Sequence, residues 1–314
     1  MVISQSTITG FYIASIGQIL IIALALYFLH RKHPFRFTSI VVGIGVYFLA
    51  SQLLTSICYS ALSSIPAVQE YLNNPDHAIV YYLMLAALTA LFMSPVAFVV
   101  LKFVRKGQWN IYEAIATGIS YWIYNSVTSA MNYINQAKIA DLANKGELST
   151  LLSDQITQAD IDAYIEVLKD ATLFQCLAQL VFFASMIVMS VLIFILIYHG
   201  MKRQKLQFVF FGIGIHFTAL FVSYLATMAP LWVYCVCVVV LGLIMGAGIY
   251  FYFRWYRRQQ KLLLQKRKEF KAKKQLEYQQ KVAAKEQAQS QAPSAPAQPA
   301  PPQEEDLEED SLND

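Results

Sequence analysis

The stretch LFQCLAQLVFFASMIVMSVLIFILIY, residues 173–198, carries no charged side chain and is long enough to cross a bilayer as a helix. Lipid offers the backbone no hydrogen-bond partner, so such a run must close its hydrogen bonds within itself. Six further apolar runs accompany it, at about 9–29, 38–61, 78–101, 111–130, 207–225 and 231–253. Together they predict an all-α polytopic membrane protein with seven transmembrane helices.

The loops between these runs alternate in charge. Arg31, Lys32 and Arg36 follow the first run, Lys102, Arg105 and Lys106 the third, and Lys202, Arg203 and Lys205 the fifth. The loop 62–77 has no Lys or Arg, only Glu70 and Asp76, and the turn around Thr227–Pro230 is uncharged. Basic residues stay on the cytoplasmic side during insertion, so the expected topology is N-terminus outside and C-terminus inside. Residues 1–8 contain no Lys or Arg, which gives the first run the reading of a mature helix rather than a signal peptide. The expected location is a bacterial cell membrane, crossed several times.

Residues 131–172 form a long outer loop in which Asp141, Glu147, Asp154, Asp160, Asp162, Glu166 and Asp170 outweigh Lys138, Lys145 and Lys169. Thr157 with Asp160 has the pattern of a capping box, and Ile161, Tyr164, Ile165 and Leu168 follow at helical spacing. This predicts an amphipathic helix packed on the mouth of the bundle. The alternative is a gate over a cavity.

At Arg254 the composition changes. Three parts are expected: a seven-helix membrane domain over 1–256, a basic cytoplasmic helix over 257–290, and a disordered Pro/Ala-rich and acidic tail over 291–314, ending EEDLEEDSLND. Arg254, Arg257, Arg258, Lys261, Lys266, Arg267 and Lys268 stand where the chain meets the membrane surface, with Trp255 and Tyr256 as interfacial anchors. Anionic lipid attracts such charge with about 1 kcal/mol per basic residue. Aromatic interleaving is sparse beyond Phe270 and Tyr278, so a nucleic-acid partner is not expected.

Ionisable groups deep in a bilayer are costly and mark function. Here His216 lies mid-span, Glu113 near the start of the fourth run and His199 at a helix end. Amides are commoner: Gln18, Gln52, Asn125, Asn132, Gln175 and Gln179, read as interhelical packing contacts. This composition argues against a proton-coupled transporter or a charge-selective channel. Cys58, Cys176, Cys235 and Cys237 fall within or beside the runs, with no disulfide framework and no metal-ligand spacing. No cofactor is expected, and His216 is the single side chain that could begin a metal site. Gly242 and Gly246 form a GxxxG in the last run, for which packing within the chain is the simpler reading.

Three ordered stretches carry a resemblance: LFMSPVAFVVLKFVRKGQW (91–109), EAIATGISYWIYNSVTSAMNYINQ (113–136) and FVFFGIGIHFTALF (208–221). Their order and spacing resemble the YhfC family of intramembrane proteases, which is related to the glutamic-type CAAX-processing and bacteriocin-immunity proteases. The resemblance covers about residues 5–255. It implies a bundle in which paired glutamates of the first stretch, a histidine and a glutamate of the second, and a histidine of the third perform hydrolysis. This chain departs from that pattern. Met93, Ser94 and Ala97, followed by the aromatic Phe98, stand in the first stretch. Tyr121 and Asn125 take the places of the histidine and glutamate in the second. In the third His216 is retained, with Leu220 a turn later.

Peptide hydrolysis needs a base to activate water and donors for the developing oxyanion. Met93 and Ser94 are no base at neutral pH, and a tyrosine hydroxyl with an ordinary pKa of about 10 is a poor one. The expected function is therefore that of a catalytically inactive homologue serving as a binding, scaffold or regulatory protein, whose partners are the lipid bilayer, transmembrane segments of other membrane proteins, and anionic lipid at the tail. One alternative is an active peptidase rewired around His216, with Ser94 as nucleophile. Another is a carrier or channel for neutral or amphipathic molecules.

Overall fold

The computed structural model describes residues 3–148, 157–228 and 230–290. Among these residues every regular element is helical. The chain divides into two compact units, Met1–Gly248 and Ile249–Asp314. Among the described residues, six helices are long and apolar enough to cross a membrane: Gln5–Lys32, Thr38–Ser63, Ala78–Phe103, Leu173–Arg203, Gln207–Ala226 and Leu231–Ala283.

The expected fourth span, 111–130, is different from the other six. It is two helices, α6 (Ile111–Ser120) and α7 (Ile123–Lys145), broken at Tyr121 and Trp122. Neither piece is both long and apolar enough to count as a span by itself, which is why the structure has six such helices where the sequence predicts seven. At the end of α6, Ser120 Oγ lies 2.8 Å from the Ala116 carbonyl, 3.1 Å from that of Thr117 and 3.3 Å from that of Ser39 on α2 (Thr38–Tyr47). Every residue of α6 except Tyr112 is buried. It packs on α9 (Leu173–Arg203), α2 (Thr38–Tyr47) and α1 (Gln5–Lys32).

Helix α9 is the centre of the membrane unit, in contact with α1, α5 (Ala78–Phe103), α6 and α10 (Gln207–Thr227). A helix apolar all round is a buried one, and α9 follows that rule from Phe183 to Gly200. Thr172 and Gln175 close a capping box at its start, so Gln175 satisfies backbone rather than a neighbouring helix. Glycines set the closest approaches. A Cβ at Gly43 of α2 would lie 2.1 Å from Ser120 Oγ and 2.4 Å from the Thr117 carbonyl oxygen, and one at Gly118 would lie 2.9 Å from Val191 Cα. Helix α6 is thus held between α2 and α9 at backbone contact. A Cβ at Gly242 would lie 2.6 Å from Ser185 Oγ, whereas Gly246 has nothing within 4 Å. Half of the GxxxG therefore serves packing within the chain.

Helix α8 (Gln158–Asp170) forms as expected. Its Ile161, Ile165 and Leu168 are buried with Ile3, Ile8, Phe11, Ala137, Ala140 and Cys176, while Tyr164 stays exposed. Asn144 holds the chain's start: its Oδ1 accepts from the Ile3 N–H at 2.7 Å and its Nδ2 donates to the Ile3 carbonyl at 2.8 Å. Asp141, 2.6 Å from Lys145 Nζ, raises the pKa of that exposed ammonium. The second unit contributes the described residues 249–290, the later part of α11 (Leu231–Ser290). Leu262, Leu264, Phe270, Leu276 and Tyr278 are exposed on it, and no single face collects them. Residues 291–314, the expected disordered tail, lie outside the described residues.

Candidate functional site

The second span is not a continuous α-helix. Between α2 and α3 (Thr55–Ser63) lies a π-helical turn, Phe48–Leu54. The Thr55 N–H and the Thr55 hydroxyl both bond the Ala50 carbonyl, the hydroxyl at 2.8 Å, which closes the wider turn. Such turns recur at functional sites because the extra residue re-aims the side chains around it. Here it points Ser51 at Tyr121, with the two hydroxyl oxygens 2.8 Å apart.

Tyr121 therefore joins two irregularities, the π-turn and the α6–α7 break. Around it stands a ring of aromatic side chains: Tyr47 at 5.1 Å between centroids, Trp122 at 5.6 Å and Phe194 at 6.2 Å. Trp122 donates from Nε1 to Ser190 Oγ at 3.1 Å, and that oxygen lies 2.8 Å from the Gly118 carbonyl. A second polar chain runs beside the first. Gln52 Nε2 donates to the Tyr47 hydroxyl, which donates to Asn125 Oδ1, both at 3.4 Å. These bonds are long, and the Asn125 side chain is only half-buried.

The remaining motif positions lie between α5 and α10. Met93, Ser94 and Ala97 have no exposure, and His216 is 1% exposed. Ser94 faces Gly212, where a Cβ would come within 2.7 Å of its Oγ. Ser94 Oγ and His216 Nδ1 are both buried without a hydrogen-bond partner. Helix α9 touches both halves of the constellation through adjacent residues. Ile193 reaches the Gly212 position beside Ser94, and Phe194 packs on Tyr121. The six positions thus fall in two groups: Tyr121 and Asn125 with the π-turn, and Met93, Ser94, Ala97 and His216 on the facing helices α5 and α10.

A model of the YhfC intramembrane metalloprotease family matches residues 17–241, most of the membrane unit. The chain belongs to the YhfC intramembrane metalloprotease family. The comparisons with curated proteins and with solved structures returned no match.

The family's description implies a metal, and the donor set of this YhfC member does not fit one. A hydrolytic metal takes about three nitrogen, thiolate or carboxylate ligands and keeps one position open. Among the described residues no three His, Cys, Asp or Glu side chains gather in that way. The side chain beside the Gly212 position, one helical turn from His216, is Ser94, and the groups around Tyr121 are hydroxyls, amides and indole.

Several features of this site are absent from a plain reading of the sequence. Glu113 is not a free interfacial carboxylate. It is 2% exposed, accepts from the Asn110 N–H at 3.0 Å while Asn110 Oδ1 accepts from the Glu113 N–H at 2.8 Å, and has Arg36 at 3.9 Å. Asn110 three residues before Glu113 is the signal that could have shown it. Ser51 and Tyr47 carried no sequence signal, because only the π-turn brings them to Tyr121 and Asn125. The amides do not behave as a set. Gln52, Asn132 and Gln179 are exposed on the bundle surface instead of bonding across its interior.

Proposed function

We propose that this YhfC member binds membrane-embedded segments of other proteins at the Tyr121–Asn125 side of the bundle and does not hydrolyse them. One observation carries the reading. The motif positions Met93, Ser94, Ala97, Tyr121 and Asn125 offer no carboxylate and no imidazole, and the retained His216 has an unpartnered Nδ1 rather than an acidic orienting residue. A histidine base acts when a second group orients it, and a nucleophile when the base lies within hydrogen-bond reach. Ser94 and His216 are both without hydrogen-bond partners at those atoms.

The test is a full-length sample in lipid vesicles incubated with membrane-protein segments captured by crosslinking near Ser94 and Tyr121. The expected result is capture without cleavage, the same for the natural chain and for His216→Ala. Specific cleavage lost in His216→Ala overturns the reading and installs a hydrolase rewired around that histidine. Absence of any captured segment overturns the binding half.

The reading includes a topology: seven crossings of the cell membrane, the fourth made by α6 and α7 together, with the N-terminus outside and the C-terminus inside. Clusters at Arg31–Arg36, Lys102–Lys106 and Lys202–Lys205 support it. The basic row Arg254, Arg257, Arg258 and Lys261 then meets anionic lipid on the inner surface, as do Lys266, Arg267 and Lys268. Asn144 clamps Ile3, so Ala159, exposed on α8, is the better outer reporter. In a background without the four native cysteines, Ala159→Cys in intact cells reacts with an impermeant thiol reagent and Lys205→Cys does not. The reverse labelling overturns the orientation.

A further inference from the structure

The second unit carries a hollow of its own on α11. Tyr250, Phe253, Arg254, Arg257, Arg258 and Lys261 line it, and its volume is about 310 Å³. That is the low end of the range for small-molecule sites, about 300–1,000 Å³. The six residues alternate spacings of three and one, which places them on a single face of the helix.

This face has two ends of opposite character. Tyr250 and Phe253 lie toward the apolar run of α11, and the four cations lie beyond them. Arg254 to Lys261 covers about 10 Å of helix. Arg254 with Arg258 and Arg257 with Lys261 are like-charge pairs at a spacing of four, which destabilise a helix. No carboxylate on α11 offsets them before Glu269, two turns past Lys261. Among the described residues none of the four cations has an ion pair, and all four are exposed. On another side of the helix Tyr252 packs with Trp255 and Tyr256, ring centroids 6.2 and 6.1 Å away. Those anchoring rings leave the cationic face clear.

The ligand's chemistry follows from the two ends. Guanidinium groups bind phosphate through paired N–H donors. A phosphate monoester carries about −1.5 to −2 charge at pH 7 and three terminal oxygens, whereas a diester carries about one charge. Four cations gathered without a carboxylate favour the more highly charged group. A free phosphate would leave the apolar end unused. Tyr250 and Phe253 offer that end to the glycerol backbone and the first part of an acyl chain. They belong to the run YFYFRWY, residues 250–256, and aromatic side chains of this kind stand at headgroup depth.

We infer that this hollow is a site for one phospholipid whose headgroup ends in a phosphate monoester, bound in preference to phosphodiester lipids. This rests on the reading that the basic row meets anionic lipid on the inner surface, and it names the class of headgroup. Lys266, Arg267 and Lys268 lie outside the hollow and supply general attraction only.

The experiment uses the full chain in vesicles of phosphatidylcholine and phosphatidylglycerol. A trace of phospholipid with a photoreactive acyl chain is added, its headgroup being phosphatidic acid, phosphatidylglycerol or phosphatidylcholine in turn, so the surface charge stays the same. Adducts within residues 249–261 are counted by mass spectrometry. The phosphatidic acid probe labels this segment about tenfold more than the phosphatidylglycerol probe, the worth of about one further charge-assisted hydrogen bond. Arg257→Gln with Arg258→Gln removes that ratio. Lys266→Gln with Arg267→Gln, the same loss of charge outside the hollow, keeps it. These four side chains are exposed, so neither double variant disturbs core packing. Equal labelling by the two anionic probes, both above phosphatidylcholine, overturns the site and leaves the anionic-lipid reading standing. No excess of either over phosphatidylcholine overturns both. A ratio lost equally in the two double variants assigns it to the charge of the whole helix and overturns the hollow. Loss of phosphatidic acid labelling in excess glycerol phosphate makes the ligand a soluble phosphate and overturns the lipid assignment.

Discussion

Gly43→Ala is expected to lower stability in detergent by about 1–3 kcal/mol or more, the range for overpacking a close contact. The new methyl would meet the Thr117 carbonyl oxygen at 2.4 Å and the Tyr121 nitrogen at 2.9 Å. Neither is the end of a flexible side chain, so α2 and α6 must separate. Two residues on, Gly45 has nothing within 4 Å, and Gly45→Ala should be neutral or stabilising by a few tenths of a kcal/mol through helix propensity. Thermal unfolding of the two variants side by side checks the claim. Equal behaviour would mean that α6 is not held at backbone contact by α2. Because Tyr121 N is among the crowded atoms, the Gly43 variant should also loosen the Ser51–Tyr121 contact.

Trp109→Ala should cost about 3–5 kcal/mol, among the largest losses any single truncation here can produce. Trp109 is 1% exposed, the largest of the fully buried side chains, and donates from Nε1 to the Val104 carbonyl at 3.1 Å. It fills the turn that delivers the chain from α5 into α6, next to the Asn110–Glu113 capping box. Trp109→Phe keeps most of the volume and loses the hydrogen bond, so it should fall between the two. Denaturation of all three in one detergent gives the order. A Trp109→Ala variant as stable as the natural chain would remove this turn from the elements that position α6.

The membrane class was legible because apolar length is a coarse signal that survives local irregularity. Helix α8 was legible for a similar reason: Ile161, Ile165 and Leu168 repeat at the period of a helix and are the residues that become buried. The stretch 111–130 reads as one rod because apolar length does not record a break of two residues, Tyr121 and Trp122, within an apolar run. Ser94, Tyr121, Asn125 and His216 enter the candidate site because a motif supplies their positions. Tyr47 and Ser51 have no such signal, since their contacts exist because a turn of the second span holds one residue more than an α-turn. Periodicity also could not tell that Gln52 and Asn132 face outward, since an amide that bonds across an interface and one that waits for a partner have the same spacing in the chain.

That extra residue has a consequence for comparing this chain with its relatives. Each residue of an α-helix advances the side chains by about 100°. A relative whose second span is a plain α-helix would match this one by a one-residue gap between Tyr47 and Thr55, and without the gap every position of α3 would be compared with a residue on a different side of its rod. Deleting one residue from Phe48–Leu54 here would perform the same operation in reverse, turning Ser56 and Ser60 to a different side of the helix while leaving the composition of the span almost unchanged. The bundle thus keeps a mechanical setting, the rotational phase of half a helix, in a single inserted amino acid.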